Sequence, residues 1–110
     1  MDVVSMGMLL YGTDGAKIDF EDRMLAHLQL AIITKLRRGE PHVLSWETPA
    51  YAGSGRSTIW IHPAIPLFFK YSGSKKVPIN RAWVEDLLSS ANSTNGLQAL
   101  PEPAPVSRAA

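Results

Sequence analysis

Between Arg56 and Tyr71 the chain alternates with a period of two, and this stretch limits what the remainder can become. Ile59 and Ile61 point one way and Thr58, Trp60 and His62 the other. Further on, Leu67, Phe69 and Tyr71 share a face opposite Phe68 and Lys70. The pattern predicts two β-strands joined at a corner bounded by Pro63 and Pro66, since proline lacks the N–H that a continuous ladder needs. A ribbon so rich in β-branched and aromatic residues reads as framework, with the other segments covering, extending or capping it.

Those segments follow from local pattern. Met8–Tyr11 predicts a short strand, Asp14-Gly15 a tight turn, and Lys17–Phe20 the partner strand of an opening hairpin. From Glu21 to Arg38 the period becomes helical: Met24, Leu25, Leu28, Ala31, Ile32 and Leu36 make one apolar face, widened by Ile33. Asp19, Glu21 and Asp22 lie where the positive end of the helix dipole falls, and Lys35, Arg37 and Arg38 at its negative end. Gly39 and Pro41 stop the helix. His42–Glu47 predicts the next strand, Thr48–Gly55 a loop, and Ser72–Lys76 a polar turn. A second helix starts at the N-cap Asn80 and carries Val84, Leu87, Leu88 and Ala91 at helical spacing, with Trp83 beside the stripe. Leu97–Leu100 adds a last edge strand.

The expected fold class is α+β, in the order β-β-α-β-β-β-α-β. It is a two-layer sandwich of mostly antiparallel sheet with two amphipathic helices packed on one face. Residues 1–5 read as a disordered N-terminal extension, 6–100 as a single α+β domain, and the proline-rich 101–110 as a disordered tail.

Composition narrows the functional classes. A chain of 110 residues supports one modest core. A net charge of +1 exerts no bulk pull on polyanions or anionic lipid, so any basic footprint is local. The absence of cysteine removes disulfides, thiolate metal ligands and a cysteine nucleophile. No apolar run approaches the ~20 residues that span a bilayer, and Met1–Ser5 lacks the basic and apolar regions of a signal peptide. The expected location is the cytoplasm, with no membrane partner.

Motifs that would carry chemistry are incomplete. Ala52–Thr58 resembles the end of a phosphate-binding loop, but Ala50 stands where the first glycine belongs and Arg56 replaces the lysine. A strand follows it, so no helix N-terminus converges with the loop amides on phosphate. Asp14-Gly15 is half of the adenylation motif Lys-x-Asp-Gly, and Gly12 occupies the place of the amine nucleophile. His27, His42 and His62 have no metal-ligand spacing, and Ser45, Ser57 and Ser72 sit in no nucleophile elbow. Asp19, Glu21 and Asp22 read as a helix-start cluster in preference to an acid–base pair. The expectation is no catalytic residue, no metal and no cofactor.

Two classes of partner stay open. Trp46, Tyr51, Trp60 and Phe68 are candidates for an uncovered apolar sheet face that takes up a second copy, as a homodimer, or another protein partner. Arg56, Lys70, Lys75 and Lys76, with Arg37 and Arg38, are candidates for anion or DNA contact, in which a displayed Trp60 or Phe68 would stack on bases. Against the second stands the bland alternative of a solvated basic rim over core aromatics.

Met6-Gly-x-Leu-x-Tyr-Gly12, Leu25–Leu28, Lys35–Gly39, Ser45-Trp46, Gly53–Pro63, Asn80–Val84 and Ala91–Thr94 carry a further signal. In these blocks the chain resembles a family of roughly hundred-residue uncharacterised proteins of high-GC Gram-positive bacteria. The likeness runs over about residues 6–100, and the Gly53–Pro63 block is its most specific part. Many members carry the label ATP-dependent DNA ligase, so the resemblance implies a neighbourhood in DNA repair. Because the attacking lysine is absent here, no catalytic residue carries over. The functional expectation is a non-catalytic interaction module working through its sheet surface, with a DNA-associated accessory module as the alternative. An enzyme acting on a nucleotide through Gly53–Thr58 comes third.

Overall fold

The structure, a computed structural model, describes residues 5–48, 51 and 53–104. The expected N-terminal extension up to Val4, the tail from Pro105 onward and most of the Thr48–Gly55 loop before Gly53 lie outside the described residues. The elements are β1 (Met6–Tyr11), β2 (Ala16–Glu21), α1 (Asp22–Arg37), β3 (His42–Thr48), β4 (Gly55–Ile61), β5 (Leu67–Lys70), α2 (Arg81–Ala91) and β6 (Leu97–Gln98). The α+β class and the element order are those that the patterning predicts. The strands, however, divide between two three-stranded sheets, ordered β2-β1-β5 and β4-β3-β6.

The Arg56–Tyr71 ribbon is therefore not a hairpin, and its two strands never pair. β4 runs antiparallel to β3 from Thr48↔Gly55 to His42↔Ile61. β5 runs antiparallel to β1 from Tyr11↔Leu67 to Met8↔Lys70. Between them the Ile65 N–H donates to the His62 carbonyl at 3.0 Å, and the Ala64 N–H donates to His62 Nδ1 at 3.0 Å. Pro63 and Pro66 offer no N–H to a β4–β5 ladder. Instead the Gly12 N–H donates to the Pro66 carbonyl at 3.0 Å, and this bond delivers β5 to the open edge of β1. The sheets meet where the Tyr11 hydroxyl donates to the Trp60 carbonyl at 2.6 Å.

One core joins both sheets. From α1, Leu25, Leu28, Ala31 and Ile32 are buried, and Leu9, Ile18 and Phe20 of the first sheet are buried with them. From α2, Trp83, Leu87 and Ala91 join Leu44, Ile61 and Leu97 of the second sheet. Each fully buried leucine contributes about 2 kcal/mol. Of the four residues that spacing selects in α2, Leu87 and Ala91 are buried and Val84 and Leu88 half-buried, while Trp83 beside the stripe is buried, so the buried face is turned toward Trp83.

The two helices run in the same sense and are held at both ends by polar side chains. His27, in the second turn of α1, accepts at Nε2 from the Asn80 N–H at 2.8 Å, next to the start of α2. Lys35, in the last turn of α1, donates to Asn92 Oδ1 at 2.7 Å, just past the end of α2. Lys35 thus ties the two helices together from the basic end of α1, where it also pairs with Glu40 at 2.9 Å. Asn80 caps α2 as its residue type predicts, its Oδ1 accepting from the Ala82 N–H at 3.0 Å. β6 is shorter than the expected edge strand and pairs parallel to β3 at Leu44↔Leu97 and Ser45↔Gln98. Gly96 turns the chain into it at φ 77°, where a Cβ would lie 2.9 Å from the Val43 carbonyl oxygen.

Candidate functional site

α1 covers one face of the first sheet, and its other face has no covering element among the described residues. The register settles which side chains lie there. Directly opposed residues in antiparallel strands share a face. Lys17, Leu10 and Phe68 form one row, Asp19, Met8 and Lys70 the next, and Glu21 with Met6 the last. The inward set alternates with it, Ile18, Leu9 and Phe69 forming one of its rows. Burial agrees: Leu9 is fully buried, whereas Met6 is 50% and Phe68 58% exposed, with Met8 and Leu10 half-buried between them. The outward face is thus a central apolar column, Met6-Met8-Leu10 with Phe68 alongside. Carboxylates and Lys17 rim it on the β2 side, and Lys70 on the β5 side.

A buried carboxylate sets the position of β5 beneath this face. Asp22, 8% exposed, accepts from the Ser72 N–H at 3.1 Å, the Ser72 hydroxyl at 2.9 Å and the Gly73 N–H at 3.1 Å. Burial pushes its pKa up, but the three donors outweigh that and leave it below the ordinary carboxylate value. The carboxylate fits only because residue 7 has no side chain: a Cβ on Gly7 would lie 2.6 Å from Asp22 Oδ1 and 2.6 Å from the Lys70 carbonyl oxygen. Asp22 lies in the first turn of α1, as its pattern predicts, and its three bonds come from a loop fifty residues away in sequence. Next to it Tyr71 donates to Gln29 Oε1 at 2.6 Å, and burial together with the Asp22 charge pushes its phenol up to about 12.

A second polar cluster ties the chain beyond β6 to both helices. Arg23 Nε donates to Glu102 Oε1 at 2.7 Å, and Asn80 Nδ2 donates to Glu102 Oε2 at 2.9 Å. These two partners bring the Glu102 carboxyl down to about 2. His27 is fully buried and stacks on Trp83 with ring centroids 4.3 Å apart. Because the Asn80 amide can only donate to Nε2, the proton on the ring sits at Nδ1, which faces the Arg23 carbonyl at 2.7 Å. Every polar atom of this cluster named here has a partner, so it reads as a structural joint. His42 differs. Its Nδ1 meets the Glu40 carbonyl at 3.0 Å, while its buried Nε2 has no partner among the described residues, and burial lowers its pKa.

The residues selected from sequence scatter over this framework. Phe68 and Lys70 belong to the uncovered face of the first sheet, while Trp60, 50% exposed, lies on the outer face of the second, opposite Val43. Trp46 is half-buried, packing edge-on against Phe20 with centroids 5.7 Å apart, and lines a groove of about 800 Å³ beside the 92%-exposed Tyr51. Arg56 is opposite Glu47 on the outer face of the second sheet. Lys75 and Lys76 lie near the start of α1, and Arg37 and Arg38 at its end. A 16-residue helix is about 24 Å long, so these two basic pairs are a helix length apart. Of the other two basic candidates, Arg56 is on β4 and Lys70 on β5, in different sheets. Sequence reading missed Met6, Met8, Leu10, Lys17 and Asp19 as members of a shared face. The available signal was the strict alternation of Lys17, Asp19 and Glu21 against Ile18 and Phe20.

Among the described residues no group of three or more His, Asp or Glu could hold a metal ion, and no helix is long and apolar enough to cross a membrane. Fold and surface together define a small α+β domain with polar joints between its elements and, among the described residues, a first sheet covered on one face only. The chain belongs to the family described as a domain of unknown function (DUF7882), which it matches over residues 6–102. Glu102, and with it the Arg23–Glu102 joint, falls inside that span. No curated protein and no solved structure matches the chain.

Proposed function

We propose that the protein is a non-catalytic interaction module whose contact surface is the outer face of the β2-β1-β5 sheet. The observation that carries this reading is the row structure of that face: Met6, Met8, Leu10 and Phe68 point away from a core that α1 closes on the other side. An antiparallel sheet with one apolar face left open gains by covering it. The polar joints support the reading from another direction, since Asp22, His27, Asn80 and Glu102 are each occupied in holding elements together. Replacing Phe68 by the photoreactive p-benzoylphenylalanine and irradiating living cells tests it. Discrete protein adducts from position 68, absent when the same group replaces the exposed Arg37, are the expected result. Position 68 giving no adduct beyond that control would refute the surface.

A further inference from the structure

We infer that the partner of this face is a second copy of the chain, packed sheet on sheet about a two-fold axis that runs along β1. The inference rests on reading the face as a contact surface and adds to it the identity of the occupant. The middle row reads Asp19, Met8, Lys70 across β2, β1 and β5, which is negative, apolar, positive. Rotation by 180° about an axis above β1 leaves β1 over β1 and exchanges the two outer strands. Each Asp19 then stands over the Lys70 of the other copy, and Met8 packs on Met8. In the neighbouring row Lys17, Leu10 and Phe68 undergo the same exchange, so each Lys17 lies over the ring of the partner's Phe68 and Leu10 meets Leu10. Both rows are complementary to themselves under one operation, which is what an isologous interface demands.

Sheet geometry tolerates the arrangement. Face-to-face sheets stack about 10 Å apart and cross at about 30°. Over rows this close to the axis, the crossing shifts facing positions by a few ångströms, which lysine side chains bridge. Asp19 and Lys70 are both exposed, so neither is already engaged in the core. The contact is small. Strands of six, six and four residues present roughly 260 Å² per copy, against about 800 Å² per partner for a standard stable interface. Association is accordingly weak and is read at high protein concentration.

The test is sedimentation equilibrium on the whole chain from about 10 µM to about 1 mM. Wild type is expected to dimerise over that range. Asp19→Lys makes the row positive at both ends and Lys70→Asp makes it negative at both ends, so each variant alone is expected to associate at least about tenfold more weakly. Their equimolar mixture restores opposite charges at both facing pairs and is expected to recover wild-type affinity, as is the double variant Asp19→Lys with Lys70→Asp. Wild type remaining monomeric at the top concentration overturns the dimer, and so does a mixture no tighter than its components. Adducts from position 68 that contain only a different protein would also remove the second copy as occupant while leaving the contact surface in place. An absence of all adducts would remove both.

Discussion

Gly7→Ala has an expected sign opposite to the usual one. Within a strand, alanine in place of glycine ordinarily stabilises by about 0.5–1 kcal/mol through the lost freedom of the unfolded chain. At position 7 the new Cβ would lie 2.6 Å from Asp22 Oδ1, 2.6 Å from the Lys70 carbonyl oxygen and 3.1 Å from Leu25 Cδ2. The Lys70 carbonyl belongs to the β1–β5 ladder and cannot retreat without opening it, so strain of about 1–3 kcal/mol is expected from overpacking alone. The Asp22 carboxylate can move, but only by weakening its bonds from Ser72 and Gly73, at about 1.5–3 kcal/mol for a charged acceptor. The sum, less the entropic gain, is a loss of about 3 kcal/mol. For a domain of this size that lowers the thermal midpoint by about 12–20 °C. Urea titration of wild type, Gly7→Ala, Asp22→Ala and the double variant measures both the loss and its coupling. With the carboxylate gone, the glycine substitution is expected to cost less. Gly7→Ala as stable as wild type, or two strictly additive losses, would refute the packing account.

Three other outcomes follow from the polar joints and from His42. His27→Leu keeps the volume near Trp83 but strands the Asn80 N–H, and about 1–3 kcal/mol of stability should be lost; chemical denaturation checks it, and a neutral result would show that the joint is dispensable. Glu102 is held at about 2 against its ordinary 4.5, so its contribution is whole above 4.5 and is lost as pH falls through 2. The ¹⁵N shift of Arg23 Nε should report that step, and Glu102→Gln should abolish it. The His42 pKa lies below its ordinary 6.5, so its neutral form supports the fold above that pH and the support declines as pH falls below it. His42→Leu removes the partnerless Nε2, and the gap between its thermal midpoint and that of wild type should widen in its favour from about pH 7 to about pH 5.

What was legible in the sequence and what was not divide along a physical line. Both helices could be read because their signals are local: Asn80 at the start of α2, Gly39 after α1 and the 3.6-residue spacing of Leu25, Leu28 and Ile32 lie within the elements themselves. Strand segments were legible for the same reason. Their partners were not, since pairing β5 with β1 depends on an edge some sixty residues earlier and on one Gly12–Pro66 hydrogen bond. Lys35 and Asp22 lie at the helix ends where pattern puts them, but their partners Asn92 and Ser72 could not be read, because those are brought near only by tertiary folding. The outward face of β1 was hidden by its composition. Met6-Gly7-Met8-Leu9-Leu10-Tyr11 is apolar almost throughout, so no alternation marks which side meets the core.

That uniformity carries the functional argument further. A strand in a sheet covered on one side needs apolar residues only on its inward face; outward, threonine or a charged residue serves the ladder as well and lowers the tendency to associate. β2 obeys this rule, with Lys17, Asp19 and Glu21 outward and Ile18 and Phe20 inward. β1 breaks it with Met6, Met8 and Leu10, and β5 breaks it with Phe68, although neither strand has a second layer to pack against among the described residues. The departures fall on adjacent strands and in shared rows, so they make one continuous strip. Isolated apolar side chains at a surface need no explanation, whereas a strip of four flanked by charges on both sides does. The stability of the domain does not supply that explanation, because its core is closed by Leu9, Ile18, Phe20 and α1 without them. The fold does not require the strip, and under the proposed reading it is there for a partner.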